Sequence, residues 1–139
     1  MKEDFVTREI AVKLKEKGFK EGCYGYYMPF GDAELIFNQT PYRGAASEDC
    51  MYSYNSLPCE CVGSDLVDAP TISQALKWLR VMWKVVVTPE YLFTEYDDWI
   101  FNIRIIGRYG EYESDEMYSS YEKAAIAGIE YVIDKLIKE

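Results

Sequence analysis

Three stretches with a helical apolar stripe, separated by pairs of strand-like runs, constrain the fold of this chain most. The best-marked helix follows Pro70, where Thr71 and Gln74 form a capping box that predicts a helix start. Further helices are predicted over about 4–17 and 119–138. The apolar face of the middle helix holds Ile72, Ala75, Leu76, Leu79 and Trp83, with Trp78 between its two faces.

The first helix is marked at its end as well as by its stripe. Ile10, Ala11 and Leu14 form the predicted buried face. Gly18 stands in the position that favours glycine just after a helix, and Phe19 can fold back to close it.

The last helix is predicted to begin at Ser119 in a second capping box and to pack closely. Ala124 and Gly128 are four residues apart, which would allow close approach to a sheet or to another helix. Its predicted core face contains Tyr121, Ala125, Gly128, Ile129, Val132 and Leu136.

The strand-like runs predict two hairpins. Residues 24–30 and 33–38 flank Gly31 and Asp32, a pair typical of two-residue turns. The second hairpin joins 85–91, which has Pro89 near its end, to the strand that follows the predicted turn at Asp97 and Asp98. One face of that strand is predicted to hold Trp99, Phe101, Ile103 and Ile105, and 107–117 is predicted to be an acidic, tyrosine-rich loop.

The predicted order is therefore α-β-β-α-β-β-α in an α+β fold. An antiparallel sheet of about four strands with helices packed on one face would bury these stripes. With 139 residues, the chain is expected to form a single domain over 1–139. Residues 39–70 form an irregular segment, which holds either a short strand near 51–54 or an excursion with a function of its own.

The absence of histidine excludes many kinds of active site. A Ser-His-Asp triad, a Cys-His pair and an imidazole zinc ligand all require it. The cysteines lack paired C-x-x-C spacing and are interpreted as reduced thiols, so no metal is expected. No phosphate loop or dinucleotide fingerprint is present, and no cofactor is expected. The four cysteines are Cys23, Cys50, Cys59 and Cys61.

A net charge of −9 limits the classes of molecule that this protein is expected to bind. It argues against binding to duplex nucleic acid, which needs cationic contacts to phosphate. The acidic excess lies in 23–76 and 110–139 and indicates either plain solubility, a docking face for a basic protein, or mimicry of a nucleic acid. No apolar run is long enough to span a membrane, and the charged N-terminal residues lack a signal-peptide pattern, so a cytoplasmic location is expected.

Thirteen tyrosines suggest a contact surface, because tyrosine is enriched at interfaces. Strand propensity explains part of the first group equally well. A second group comprises Tyr109, Tyr112, Tyr118 and Tyr121. The candidate partner-binding or self-association surface is the first group: Tyr24, Tyr26, Tyr27, Tyr52 and Tyr54.

Clustered carboxylates allow a second interpretation, a small-molecule binder or hydrolase that uses paired carboxylates in an aromatic-lined pocket. Most of these clusters fall in predicted turns, where turn chemistry alone favours aspartate. The clusters are Asp32 with Glu34, Glu48 with Asp49, Asp97 with Asp98, and Glu111, Glu113, Asp115 and Glu116.

Three segments carry a resemblance: Phe19 with Cys23 and the following Gly-Tyr-Tyr, the run 69–80 (APTISQALKWLR), and 121–129. In these the chain resembles a group of short uncharacterised proteins common in Bacteroidetes genomes, prophages and mobile elements. The resemblance implies an accessory protein of a bacterium or phage and offers no catalytic residues. The favoured hypothesis is a small non-enzymatic protein that binds another protein or itself.

Overall fold

The computed structural model describes residues 2–38 and 51–137, and its chain forms two compact units, Met1–Thr71 and Ile72–Glu139. Over these described ranges the fold is α+β with three helices and two antiparallel three-stranded sheets. The prediction of one sheet of about four strands was therefore wrong, because each unit contains one strand beyond its predicted hairpin. Whether the two units make up one domain stays a prediction.

The first unit contains one helix and one small sheet, with strand order β2-β1-β3. Its elements are a 3-10 turn Lys2–Asp4, α1 Arg8–Glu16, β1 Gly25–Tyr27, β2 Ile36–Phe37, a 3-10 turn Tyr54–Ser56 and β3 Val67–Ala69.

Helix α1 starts later than predicted. Thr7 is its N-cap, and the Thr7 hydroxyl accepts from the N–H of Ile10 at 3.4 Å. The preceding Phe5 instead forms a β-bridge with Thr71, which takes the backbone out of the helix. Ile10, Ala11 and Leu14 are buried, which confirms the predicted face.

The end of α1 confirms the prediction at Gly18. Its φ of 95° lies in the left-handed region that favours glycine. The N–H of Phe19 donates to the carbonyl of Leu14 at 3.0 Å and that of Gly18 to Lys15 at 3.1 Å, which is a Schellman motif. The Phe19 side chain is fully buried.

The strands of the first sheet are shorter than predicted. β1 pairs with β2 through only Gly25 with Phe37 and Tyr26 with Ile36, and residues 28–35 connect them in place of a two-residue turn. β1 also pairs with β3, which was not predicted because three residues carry no measurable periodicity. Of the irregular segment, 39–50 lie outside the described residues, and the strand expected near 51–54 is a single bridge between Tyr52 and Cys23.

A buried polar network joins the irregular segment to β3. Both oxygens of the Asp68 carboxylate accept backbone N–H groups, from Tyr54 and Asn55, each at 3.0 Å. In return Asn55 Oδ1 accepts from the N–H of Asp68 at 3.1 Å, and Asn55 Nδ2 donates to the carbonyl of Phe19 at 2.9 Å. Burial raises the pKa of Asp68, although these donors and the charge of Lys15 oppose the rise.

Asp68→Ala is expected to destabilise the protein by about 2–4 kcal/mol, because it leaves two buried N–H groups without acceptors. Urea denaturation followed by far-UV circular dichroism measures the change, since this signal includes α1 of the first unit. The exposed Asp65→Ala serves as the matched control, with an expected change below about 0.5 kcal/mol. Equal effects of the two substitutions would contradict the structural role of the network.

The second unit contains two helices and a sheet of order β4-β5-β6. Its elements are α2 Ile72–Met82, β4 Val85–Tyr91, β5 Trp99–Ile105, β6 Tyr112–Glu113, α3 Tyr121–Tyr131 and a π-helical turn Val132–Leu136. In the described residues no helix combines the length and apolarity that crossing a bilayer requires.

The hairpin of β4 and β5 confirms the prediction, including its proline and its turn. Pro89 lies opposite Phe101, whose N–H and C=O both bond to Ser114 on the other side, so the missing donor of proline is not needed. Asp97 has φ of 49° and accepts from the Tyr91 hydroxyl at 2.7 Å, as suits a turn residue. The predicted loop at 107–117 contains β6, which was missed because it has only two residues.

The buried residues of α2 and α3 differ in part from those predicted for their core faces. In α2, Trp78 is 4% exposed although it was predicted between two faces. Helix α3 is capped by Ser120, not Ser119, since the Ser120 hydroxyl accepts from the N–H of Lys123 at 3.2 Å. The π-helical turn then rotates the end of the helix, so that Ile133 and Ile137 are buried while Leu136 stays partly exposed. At the other end of α3, Tyr121 is also partly exposed, although it was predicted on the core face.

Helix α3 packs against the sheet at Gly128. A Cβ added there would lie 2.5 Å from Cγ1 of Val87 on β4 and 3.1 Å from Cγ of Phe101 on β5. The predicted close approach to a sheet is therefore confirmed.

Gly128→Ala is expected to lose about 1–2 kcal/mol of stability, because overpacking outweighs the gain of about 1 kcal/mol in helix propensity. Thermal and urea unfolding measure it, with the exposed Lys123→Ala as the control on the same helix. Since alanine normally stabilises a helix, a gain in stability would refute the close packing.

Candidate functional site

The structure brings three of the five predicted surface tyrosines together in the first unit. The rings of Tyr26 and Tyr54 are 5.0 Å apart, and those of Tyr52 and Tyr54 are 4.6 Å apart. Tyr52 is 47% exposed and Tyr24 is 37% exposed, whereas Tyr26 and Tyr54 are half-buried. Burial raises the pKa of Tyr54, and neighbouring Tyr26, Tyr52 and Asp68 add to the rise. The backbone of Tyr54 also serves the buried Asp68, so this cluster has a structural role.

Tyr27 does not belong to that surface. It is 6% exposed, and its hydroxyl donates to the carbonyl of Val6 at 2.6 Å. Side chains alternate along a strand, so Tyr27 and Tyr26 face opposite sides of β1. Burial raises the Tyr27 pKa, with a further contribution from the charge of Glu9.

A cavity with aromatic walls lies in the second unit between α3 and the segment that follows β5. Its volume is about 310 Å³, at the small end of the range for ligand sites. Phe101, which is 3% exposed, contacts three tyrosine rings with centroid distances of 6.0–6.2 Å. These are Tyr112, Tyr118 and Tyr131.

Backbone hydrogen bonds to β5 hold one wall of this cavity. The Ser114 N–H donates to the carbonyl of Phe101 at 2.9 Å, and the Ser114 hydroxyl accepts from the Phe101 N–H at 3.2 Å. Four residues later, Tyr118 exchanges two backbone hydrogen bonds with Trp99, at 2.7 and 2.8 Å. The other wall is α3, whose Tyr131 stacks on Tyr112 with ring centroids 4.4 Å apart and planes 10° apart.

The cavity is strongly acidic. Among the residues that the structure describes, four carboxylates and one ammonium group line it, which gives these side chains a formal charge of −3. They come from both walls: Asp115 and Glu116 on the loop side, and Glu130, Asp134 and Lys135 on the helix side. We refer to this feature as the acidic cavity.

The acidic field acts on the tyrosines of the cavity. The Tyr112 pKa is raised above its ordinary value, first by burial and then by the charge of Asp115 and by Tyr131. The Tyr118 pKa is raised by burial and by the charges of Glu116 and Glu130. The part of the rise that comes from the carboxylates would favour a cation in the same place, whereas burial, the larger cause, disfavours any charge there.

Four of the eleven described residues that line the acidic cavity were singled out from the sequence as candidate functional residues. Tyr112, Tyr118, Asp115 and Glu116 belong to the predicted tyrosine and carboxylate clusters. The helix residues were missed, although their spacing was a usable signal, because i, i+3, i+4 and i+7 fall on one helix face. These residues are Ala127, Glu130, Tyr131 and Asp134.

The remaining predicted carboxylate pairs lie outside the acidic cavity. Asp97 and Asp98 accept hydrogen bonds within their own turn, from Tyr91 and Thr94. Asp32 and Glu34 are exposed in the connection between β1 and β2. Glu48 and Asp49 lie outside the described residues.

The cysteines in the described part of the chain are thiols in two settings. Cys23 is buried, and burial together with the charges of Asp68 and Glu21 raises its pKa, which suits a small core residue. Cys59 and Cys61 are exposed, and Cys50 lies outside the described residues. Within the described ranges, no three histidine, cysteine or acidic side chains are grouped so that they could hold a metal ion.

Comparison with known proteins gave no match: no family model, no curated protein and no solved structure is significantly similar to this chain. The resemblance inferred from the sequence stays a prediction.

Asp115→Asn is expected to lower the pKa of Tyr112 towards its ordinary value of 10.0, because it removes a negative charge next to the phenol. The pKa should stay above 10.0, since burial is the larger cause. Titration of ring ¹³Cζ shifts in tyrosine-labelled protein measures this, with Tyr112→Phe to assign the signal.

The exposed Glu95→Gln removes the same charge in the loop between β4 and β5 and serves as the control. An unchanged Tyr112 pKa in Asp115→Asn, or an equal decrease in Glu95→Gln, would show that Asp115 does not set the local potential.

Proposed function

We propose that this chain is a non-enzymatic protein-interaction module whose acidic cavity binds a basic side chain of a partner protein. The observation that carries the proposal is the arrangement of four carboxylates and three tyrosines around one cavity. Aromatic faces attract cations, and carboxylates at the same site add direct Coulomb attraction. A lysine or arginine side chain supplies both the charge and an apolar stem for the aromatic floor at Phe101.

A partner of opposite charge fits better than a second copy of the chain. Each copy carries a net charge of −9, so two copies repel each other at low ionic strength. A basic partner is attracted at long range and gains on-rate from the same field. Self-association through Tyr24 and Tyr52, the most exposed of the first tyrosine group, is kept as a second proposed contact.

The proposed cellular location and role rest on the sequence resemblance alone. We propose that the protein is an accessory protein in the cytoplasm of a bacterium or in a phage-infected cell. The support is the resemblance of 69–80 and 121–129 to the bacterial and phage group.

A small organic cation is a second candidate ligand for the acidic cavity. The volume of about 310 Å³ is large enough to hold a group of that size against the aromatic rings and the carboxylates. The hydrolase interpretation belongs with this candidate, because its paired carboxylates would act on a small molecule bound in the same cavity.

The expected result is that a blocked pentapeptide Gly-Gly-Lys-Gly-Gly shifts the ring signals of Tyr112, Tyr118 and Tyr131 in a saturable way in NMR titrations. The same peptide with norleucine in place of lysine should not shift them, since it keeps the stem and loses the charge. The double variant Asp115→Asn/Glu116→Gln should weaken binding about 5- to 30-fold.

The control for charge is the pair Glu95→Gln and Glu90→Gln, both exposed and outside the acidic cavity. If both pairs of substitutions weaken peptide binding equally, the loss of affinity comes from the change in net charge alone, which would contradict the acidic cavity as the binding site. Tetramethylammonium binding as tightly as the lysine peptide would favour the small-cation candidate.

A further inference from the structure

A second cavity adjoins the acidic cavity and shares Tyr112 and Tyr131 as a common wall. Its volume is about 420 Å³. Apart from the shared rings, its apolar lining comes from Ile103 and Ile105 of β5, Leu136 of the π-helical turn and the exposed ring of Tyr109. We refer to it as the apolar cavity.

The charges beside the apolar cavity disfavour a cation. Of the described residues that line it, Arg108 is cationic and Glu111 alone supplies a carboxylate. Glu111 Oε2 accepts a hydrogen bond from Nε of Arg104 at 2.9 Å, so much of its charge is already offset. A basic side chain therefore fits the acidic cavity better, and an apolar side chain fits the apolar cavity better.

The distance between the two cavities is inferred from the spacing of the β5 residues that line them. Phe101 lines the acidic cavity and Ile103 the apolar cavity, and both lie on the same face of β5. Residues two apart on a strand are separated by roughly 6.5 Å. In an extended peptide, side chains at i and i+2 also point to the same side with this spacing.

We propose that the partner is recognised through an extended segment in which a basic residue and a large apolar residue are separated by one residue. The basic side chain occupies the acidic cavity and the apolar side chain occupies the apolar cavity. This inference rests on the proposed function, since it takes the acidic cavity as the site of the basic side chain.

The test compares blocked pentapeptides by the same NMR titration. Gly-Lys-Gly-Leu-Gly and Gly-Leu-Gly-Lys-Gly present the two residues in either chain direction, while Gly-Gly-Lys-Gly-Gly lacks the leucine and Gly-Lys-Leu-Gly-Gly places it on the opposite side. One of the first two should bind about 5- to 30-fold more tightly than the peptide without leucine, because it buries a leucine side chain. The adjacent placement should gain much less.

Leu136→Ala should remove most of the gain from leucine while leaving the affinity for the leucine-free peptide unchanged. Val62→Ala, at a fully exposed position of the first unit, is the control and should change neither. Lysine peptides that all bind with one affinity, or a leucine gain that survives Leu136→Ala, would overturn the inference and leave the proposed function standing. If no lysine peptide binds at all, the proposed function fails as well.

Discussion

The contact of α3 with the sheet at Gly128 is the constraint on which the second unit and its candidate site depend. With no side chain at this position, the helix backbone lies directly over Val87 and Phe101. That approach brings Glu130 and Tyr131, on the following turn of the helix, to the cavity lined by Phe101 of β5. A larger spacing would separate the helix wall of the acidic cavity from its aromatic floor, because ring contacts extend only over about 4.5–7 Å.

The two units are organised by different physical means. In the first, very short strands are held by the exchange of hydrogen bonds between Asp68 and Asn55, which fixes a segment that has no periodic pattern. Burying a carboxylate is unfavourable unless donors surround it, and here two backbone N–H groups do so. In the second unit, long paired strands and the packing of an amphipathic helix on them stabilise the fold. The charged groups there lie at the cavity and not in the core.

The sequence predicted elements with a long periodic pattern and missed those without one. The face of α1, the Schellman turn at Gly18 and the hairpin of β4 and β5 follow from local rules. β3 and β6 have three and two residues, so only pairing with a neighbouring strand defines them. The acidic cavity was predicted only in part for the same reason, since Tyr112 and Tyr131 come together only through the packing of α3 on the sheet.

Strand β6 is very short, yet it carries a residue that lines both cavities. It pairs with β5 through only two residues, one of which is Tyr112, the wall common to both cavities. The same segment is also attached to β5 by Ser114 at Phe101 and by Tyr118 at Trp99, so the shared wall is held at three points. A ligand of the proposed site that contacts Tyr112 would add to the stability of this attachment by mass action, because it would bind the attached form of the segment.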